Sequence, residues 1–325
     1  MVEHFDHQFL QAPTVDPEIP SLVATDSTGR VIGFLGANVI SMRFDRRAVR
    51  AVATGPLFTE PDARAVSVLL LRSLLAGPQE LTFSDKHNLE AHRLFSRLGA
   101  RVVHPRCVWW EVNLRRAEHW VMSSAPSPRR FLTPALRALA RIADRYASHR
   151  SPKAPNGAAV AAEPLTPDLV ASHVSDLVGW ARLRPEYDTT LLRWRLEQLA
   201  QVRRLGTLRA LALREKNGTV LGWFIVLVPR GRIATVVQVI AREGKEETVL
   251  EGLLAAAYVG GAVAVRGRLE PELAFALTRI GCELQQRACL LAHTTCDEIW
   301  SALTSDRSVL TLLDGEPWLA EMHDG

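Results

Sequence analysis

Cysteine, tyrosine and long apolar runs are all scarce in this chain: it has four Cys and three Tyr in 325 residues. Four cysteines are too few for a disulfide framework, and a chain of this length buries enough apolar surface without one. Cys282, Cys289 and Cys296 are evenly spaced, but no C-x-x-C or H-E-x-x-H pattern accompanies them. No metal site is therefore expected, and the cysteines read as reduced, buried thiols. No stretch reaches the roughly 18–20 apolar residues needed to cross a bilayer. The opening Met1-Val-Glu-His-Phe-Asp lacks the basic region and apolar run of a secretory signal, so a cytoplasmic protein is expected. No G-x-G-x-x-G, P-loop or G-x-S-x-G pattern falls in a strand–helix context, which leaves dinucleotide, nucleoside-triphosphate and serine-hydrolase chemistries without support.

The charge balance is mild, with 39 Lys+Arg against 35 Asp+Glu and a net charge of +4. It suits an anionic ligand but does not call for nucleic acid, which needs charge concentrated on one face. With 47% hydrophobic residues the composition is globular, and the length allows about two domains of ~150 residues. Composition shifts between Glu118 and Glu163, where Ser123-Ser-Ala-Pro-Ser-Pro and Ser151-Pro-Lys-Ala-Pro-Asn-Gly are turn-rich. Between them Leu132, Leu136, Leu139, Ala143 and Tyr146 follow helical spacing, with Arg130, Arg137, Arg141 and Arg145 opposite. Residues 119–157 thus read as a linker with an amphipathic helix, between a domain of 1–118 and another of 158–325. Its arginine face is either a solvated surface or a dock for an acidic carrier protein or RNA.

The two halves share one local grammar. Ser21-Leu-Val-Ala-Thr, a turn at Asp26-Ser-Thr-Gly and Val31-Ile-Gly-Phe-Leu match Ala210-Leu-Ala-Leu-Arg, Lys216-Asn-Gly and Val220-Leu-Gly-Trp-Phe. Asn-Gly between apolar runs is a hairpin signal because both central residues of that turn favour positive φ. A third strand (51–58, 234–240), a helix, a short strand and a helix stopped by Gly99 or Gly281 follow in each half. Val108-Trp-Trp-Glu-Val and Ala288-Cys-Leu-Leu-Ala would then close each half with a strand of its own. Repeated strand–strand–strand–helix–strand–helix–strand order predicts a duplicated α/β domain, an α+β mixed sheet occurring twice. The second half also opens with a strand (158–162) and two helices that the first half lacks.

Asp85-Lys-His-Asn88-Leu-Glu-Ala91-His-Arg-Leu94-Phe95-Ser-Arg-Leu98-Gly99 is similar to the Asn-x-x-Ala-x-x-Leu-Tyr-x-x-x-Gly-Phe segment of the GNAT (N-acetyltransferase) superfamily. Together with the topology, the chain resembles that superfamily in a tandem two-domain form. The resemblance implies an acyltransferase moving an acyl group, acetyl foremost, from acetyl-CoA or another acyl-CoA to a small-molecule amine, with no metal. Read as residues alone, Ala91, Leu94, Phe95 and Leu98 suit the core face of a helix, and Asn88 suits either an N-cap or a ligand contact.

The family's phosphate loop corresponds to Pro61-Asp-Ala-Arg64-Ala65-Val-Ser67, where small residues replace the glycines. Arg64, Ala65, Ser67 and Asn88 are the expected cofactor contacts. In the second half Arg242-Glu-Gly-Lys-Glu246-Glu247 sets carboxylates at the helix start, which repel phosphate, so that site is read as degenerate. The family's tyrosine donor is replaced by Phe95 and Thr278. Asp85, Ser84 and Glu60 are the candidate catalytic groups, with His87, His104 and Glu111 as further titratable residues nearby. Arg184, Tyr187, Asp188, Arg193 and Arg195, from the second half's front helices, are candidate acceptor contacts, with surface or capping charge as the alternative. Two other functions are also read. One is an inactive tandem fold kept for ligand binding or scaffolding, which the missing motifs favour. The other is a transferase using aminoacyl-tRNA, which tandem forms of the resembled fold include and which the Arg130 to Arg145 face supports.

Overall fold

The computed structural model describes Phe9, residues 12–124, Leu136, Leu139, Ala140, residues 142–144, 160–287 and 289–315. In the first half, β1 (Leu22–Thr25) and β2 (Val31–Phe44) flank a turn in which Asp26 accepts from the N–H groups of Thr28 and Arg30. β2 folds back tightly into β3 (Arg47–Thr59), followed by α1 (Arg64–Leu75), β4 (Leu81–Ser84) and α2 (Leu89–Arg97). Next come β5 (Arg101–Val103), β6 (Val108–Asn113) and α3 (Arg116–Ser124). Leu136, Leu139, Ala140 and 142–144 are helical, while the rest of the helix expected over 131–150 lies outside the described residues.

The second half opens with β7 (Val160–Pro164), α4 (Pro167–Leu177), β8 (Leu183–Pro185) and α5 (Thr189–Gln201). It continues through β9 (Thr207–Glu215), β10 (Val220–Val228), β11 (Ile233–Ala241), α6 (Glu246–Val259) and β12 (Ala264–Arg268). α7 (Ala274–Ile280), β13 (Glu283–Gln286), β14 (Leu290–His293) and α8 (Asp297–Leu303) complete it. α7 stops at Gly281, whose φ of 82° is a left-handed value that side chains resist. No helix among the described residues is long and apolar enough to cross a membrane.

The chain divides into two compact, discontinuous units rather than two contiguous stretches. The first comprises Met1–Val108, Pro167–Gln198 and Gln286–Gly325; the second comprises Trp109–Thr166 and Leu199–Gln285. The first sheet runs β1-β2-β3-β4-β14-β5, with β8 on β2, and the second runs β13-β6-β12-β11-β10-β9-β7. The expectation that each half closes with its own strand is corrected. β14 pairs antiparallel with β4 and β5, while β6 pairs antiparallel with β12, so each half supplies the other's strand.

The reduced-thiol expectation is also corrected. Cys107 and Cys289, each the residue before its exchanged strand, form a disulfide, leaving Cys282 and Cys296 as free thiols. The physical reason is adjacency: the chain passes side by side there, with the Arg287 N–H donating to the Cys107 carbonyl at 3.0 Å.

The first unit is tied across its three stretches by buried polar contacts. Arg106 is fully buried and donates to the carbonyls of Leu310 (2.9 Å) and Ser308 (2.8 Å). The edge that the first half leaves open is covered by β8, paired with Met42–Phe44, and beyond it by one bridge from Leu183 to Ser308. Asp314 receives Tyr187 Oη at 2.6 Å and Arg195 Nη1 at 3.3 Å on one oxygen, with the N–H and hydroxyl of Thr311 on the other. Both charged side chains of the Arg195–Asp314 pair are buried. Breaking such a pair strands a charge in low dielectric, so Asp314→Ala should cost about 3–5 kcal/mol. Exposed Arg193→Ala should stay within about 0.5 kcal/mol. Urea unfolding midpoints of the two variants check this; near-equal midpoints would remove Asp314 from its structural role.

Candidate functional site

β3 and β4 run parallel through Ala51↔Leu81, Val52↔Thr82 and Ala53↔Phe83, and the ladder ends there. On its other side β3 stays paired with β2 as far as Thr59. The edge of β3 beyond Ala53 therefore faces a fork with no strand beside it, and backbone polar groups along that edge are available to a ligand. At the base of the fork the Thr54 hydroxyl donates to the Phe83 carbonyl at 3.3 Å, taking over from the ladder. The β2–β3 register shifts between Leu35 and Ala37, a bulge opposite Gly55 and Pro56. Phe9 packs on it so closely that a Cβ on Gly36 or Gly55 would lie 2.5 or 2.7 Å from its ring.

A cavity of about 450 Å³ occupies the fork. Its walls are mostly apolar, including Leu35, Leu57, Phe58, Leu71, Phe95 and Leu291, and its polar end is formed by Ser84, Lys86, His87 and Asn88. Phe58 lines it while remaining 54% exposed, so the mouth of the cavity is apolar too. Asn88 caps α2, with Oδ1 accepting from the Ala91 N–H at 2.8 Å, so the capping role holds and the residue also borders the cavity. Ser84 Oγ donates to the Lys86 carbonyl at 3.4 Å. The His87 ring sits 3.2 Å, Nε2 to Nδ1, from His92. Burial pushes the His87 pKa below 6.5, and the nearby His92 adds to the effect against an opposing hydrogen bond to the Ser84 backbone. His87 is thus a neutral imidazole at neutral pH.

The remaining sequence candidates disperse. Asp85 is buried and Glu60 is exposed beyond the end of β3, 4.0 Å from Arg30; neither lines the cavity. Arg64, Ala65 and Ser67 form the first turn of α1, whose N-cap, Ala63, makes no side-chain hydrogen bond, and Ser67 Oγ donates to the Arg64 carbonyl at 2.6 Å. Arg64 and Ala65 are exposed. Arg184 and Tyr187 line a separate cavity of about 100 Å³, and Arg184 Nη1 donates to the Ala181 carbonyl. Tyr187 and Arg195 are committed to Asp314, Asp188 caps α5 through the Leu191 N–H, and Arg193 is exposed. His104 is exposed after β5. Glu111 lies in the second unit, where it meets His119 at 2.9 Å and Arg266 at 2.5 Å.

The second unit repeats the fork but fills it differently. The β11–β12 ladder ends at Thr235↔Arg266, and the next residue, Gly267, pairs with Trp110. In the first unit the residue after the last parallel pair, Ser84, pairs with Leu291. Buried Trp110 therefore occupies the register of Leu291, and its ring lies 2.8 Å from where a Cβ on Gly267 would sit. At the start of α6, Glu246 Oε1 already accepts from the Gly244 N–H at 3.0 Å.

Two solved structures are similar to this chain in overall fold. One, from Enterococcus faecalis V583 and described as a probable N-acyltransferase, superposes with a TM-score of 0.52 at 11% identity, over 82% of this chain and 60% of that one. The other, a GCN5-related N-acetyltransferase from Anabaena variabilis ATCC 29413, gives 0.55 at 10% identity, over 85% of this chain and 62% of that one. The fold is that of the GCN5-related N-acetyltransferases. No family model and no curated protein matches the sequence. The chain spans about three-fifths of the length of these two N-acetyltransferase-fold structures.

That fold family commonly takes an acyl-CoA, and the residues of the first fork fit one. The open edge of β3 suits the amides of an extended arm, the apolar cavity suits its acyl end, and the uncapped start of α1 with Arg64 suits phosphate. The sequence underweighted His87: its signal, a second histidine five positions on, acquires meaning only when the loop before α2 folds the two rings together. Among the described residues no cluster of three or more His, Cys, Asp or Glu is placed to hold a metal.

Burial also pushes the His293 pKa below 6.5, with Arg101 contributing. Unfolded histidines take up protons near pH 6.5 while these two folded rings resist, so their contribution to stability is present above that pH and is lost as pH falls through it. Melting temperature should therefore drop from pH 7.5 to about 5.5, and a His87→Gln/His293→Gln variant should show a flatter profile. An unchanged slope would remove these rings as the cause.

Proposed function

We propose that this chain is an acyl-CoA-dependent N-acyltransferase whose donor binds in the fork of the first unit, with an amine as acceptor. The observation that carries this reading is the parting of β3 and β4 at Ala53 and Phe83 around an apolar cavity. When bound, the thioester supplies an activated acyl carbon. The chain's own residues have four tasks. The open edge of β3 holds the donor's amides, and Arg64 with the α1 N-terminus holds phosphate charge. The apolar walls exclude water from the acyl end. The His87–His92 pair takes the proton that the acceptor ammonium must lose and passes it toward solvent, replacing Asp85 and Glu60 in that task. Ser84, a cavity hydroxyl at the tip of β4, donates the proton to the sulfur that leaves, standing in for the tyrosine hydroxyl that Phe95 lacks.

The acyl group is acetyl or a longer aliphatic chain, and the acceptor is a small amine. A second reading is favoured by one observation: the lining of the cavity contains no carboxylate. On that reading the fold binds acyl-CoA without turning it over.

Ligand that binds the native state alone raises stability by about 2.7 kcal/mol at a hundredfold excess over Kd. Acetyl-CoA or a longer acyl-CoA should raise the melting temperature of the native protein, and Arg64→Glu should remove most of that shift. The absence of any shift would overturn both readings. A shift without product from a panel of amines, followed by release of free CoA thiol, would select the binding-only reading.

A pH profile tests the imidazole pair separately. A neutral His87 is required, so the acid limb of kcat/KM should lie below pH 6.5. His92→Ala removes the charge that opposes His87 protonation and should move that limb to higher pH. A limb unmoved by the substitution would rule out the pair as the proton acceptor.

A further inference from the structure

The second unit contains a larger cavity, of about 650 Å³, that the acyltransfer reading does not use. It lies at the end of the sheet where β9 begins, β10 turns into β11 and α6 stops, so it is opposite the end at which β11 and β12 part. Three arginines from three elements line it: Arg115 before α3, Arg209 in β9 and Arg230 in the β10–β11 turn. Arg209 and Arg230 are exposed, and among the described residues neither has a carboxylate within salt-bridge distance. Arg115 is anchored: Nη2 donates to the Tyr258 carbonyl at 3.1 Å and the guanidinium lies 4.8 Å over the Tyr258 ring. Its Nε is buried without an acceptor. Glu118 is the one carboxylate in the lining, and it is buried. The neighbouring Asp144 is occupied by the N–H groups of Ala117 and Glu118 at the start of α3. Ile142 and Val259 give the cavity an apolar wall, with Val259 83% exposed.

We infer that this cavity is a binding site for a multiply charged organic anion, a phosphate ester or a polycarboxylate of nucleotide-like size. Three guanidiniums line one space against a single carboxylate, Glu118, so positive charge is in excess there, and an anion bridging the guanidiniums relieves their repulsion. A guanidinium's fork of N–H donors matches both carboxylate and phosphate oxygens. A volume of 650 Å³ exceeds what inorganic phosphate needs and falls within the range of organic-ligand pockets. The apolar wall gives the body of such a ligand a surface to cover. The site does not depend on the first unit's fork, so it stands or falls independently of the acyltransfer reading.

Isothermal titration with inorganic pyrophosphate and with citrate, at low salt, provides the test, because the two probes separate phosphate from carboxylate chemistry. Arg209→Glu and Arg230→Glu are exposed substitutions and should leave the ligand-free melting temperature unchanged. Each should weaken binding of the preferred probe at least about tenfold, as expected for loss of a charge-assisted contact. Arg64→Glu, at the other unit's fork, should change it by less than about twofold. Raising salt should weaken the wild-type binding. The inference is overturned if neither probe binds up to about 10 mM. It is also overturned if both unit-two variants bind as tightly as the native protein, or if Arg64→Glu alone abolishes binding.

Discussion

A strand in the middle of a sheet needs a neighbour on each side, and in the first unit that requirement is met by a strand from the far end of the chain. β4 and β5 do not touch each other; β14 lies between them, with Leu291 set against Ser84 on one edge and Val102 on the other. Much else depends on that insertion. Leu291 is a wall of the fork cavity, the Cys107–Cys289 disulfide marks the place where the chain crosses over, and Arg106 is buried only because residues 308–310 follow β14 into the same unit.

One fold thus carries two forks with different contents. In the first, a leucine beside Ser84 leaves room for a cavity, and the helix that starts above it has no side-chain cap. In the second, a tryptophan takes the equivalent register and lies against Gly267, which has no side chain to keep it out, while Glu246 occupies a backbone donor before the helix. The change from leucine to tryptophan adds volume where an extended arm would lie, and the carboxylate adds negative charge where phosphate would sit. Filling of the second fork leaves the buried core of that unit intact, with Phe224, Leu250 and Leu253 in the same cluster as Trp110.

The repeated grammar of hairpins, helices and glycine stops was legible because each signal is local. Asp26-Ser-Thr-Gly makes its turn through its own side chain, and α2 ends where Gly99 takes a positive φ. β5, β8 and β13 are three or four residues long, too short to show a period, and they went unread. The strand exchange was not legible, since an edge of Val and Leu pairs equally well with either sheet and only the assembled chain decides. The same reason hid the partner of two candidate acceptor residues. Tyr187 and Arg195 carry polar groups that look available in sequence, but their partner, Asp314, lies more than a hundred positions away in an apolar stretch. Asn88 could be read both ways and serves both purposes, as a cap and as a border of the cavity.

The exchange also imposes an order on how the molecule can form. Contacts such as Arg106 with Leu310 span 204 positions, and the cysteine pair spans 182. During synthesis at about 5–20 residues per second, β4 and β5 must wait roughly 10–40 s for the strand that separates them. Throughout that interval both present open hydrogen-bonding edges flanked by apolar side chains, the condition under which strands pair with the wrong chain. Long-range pairing of this kind makes folding slow as well as late. The nascent first half therefore exposes those edges until residues 290–293 arrive, and the walls of its cavity are complete only once Leu291 is in place.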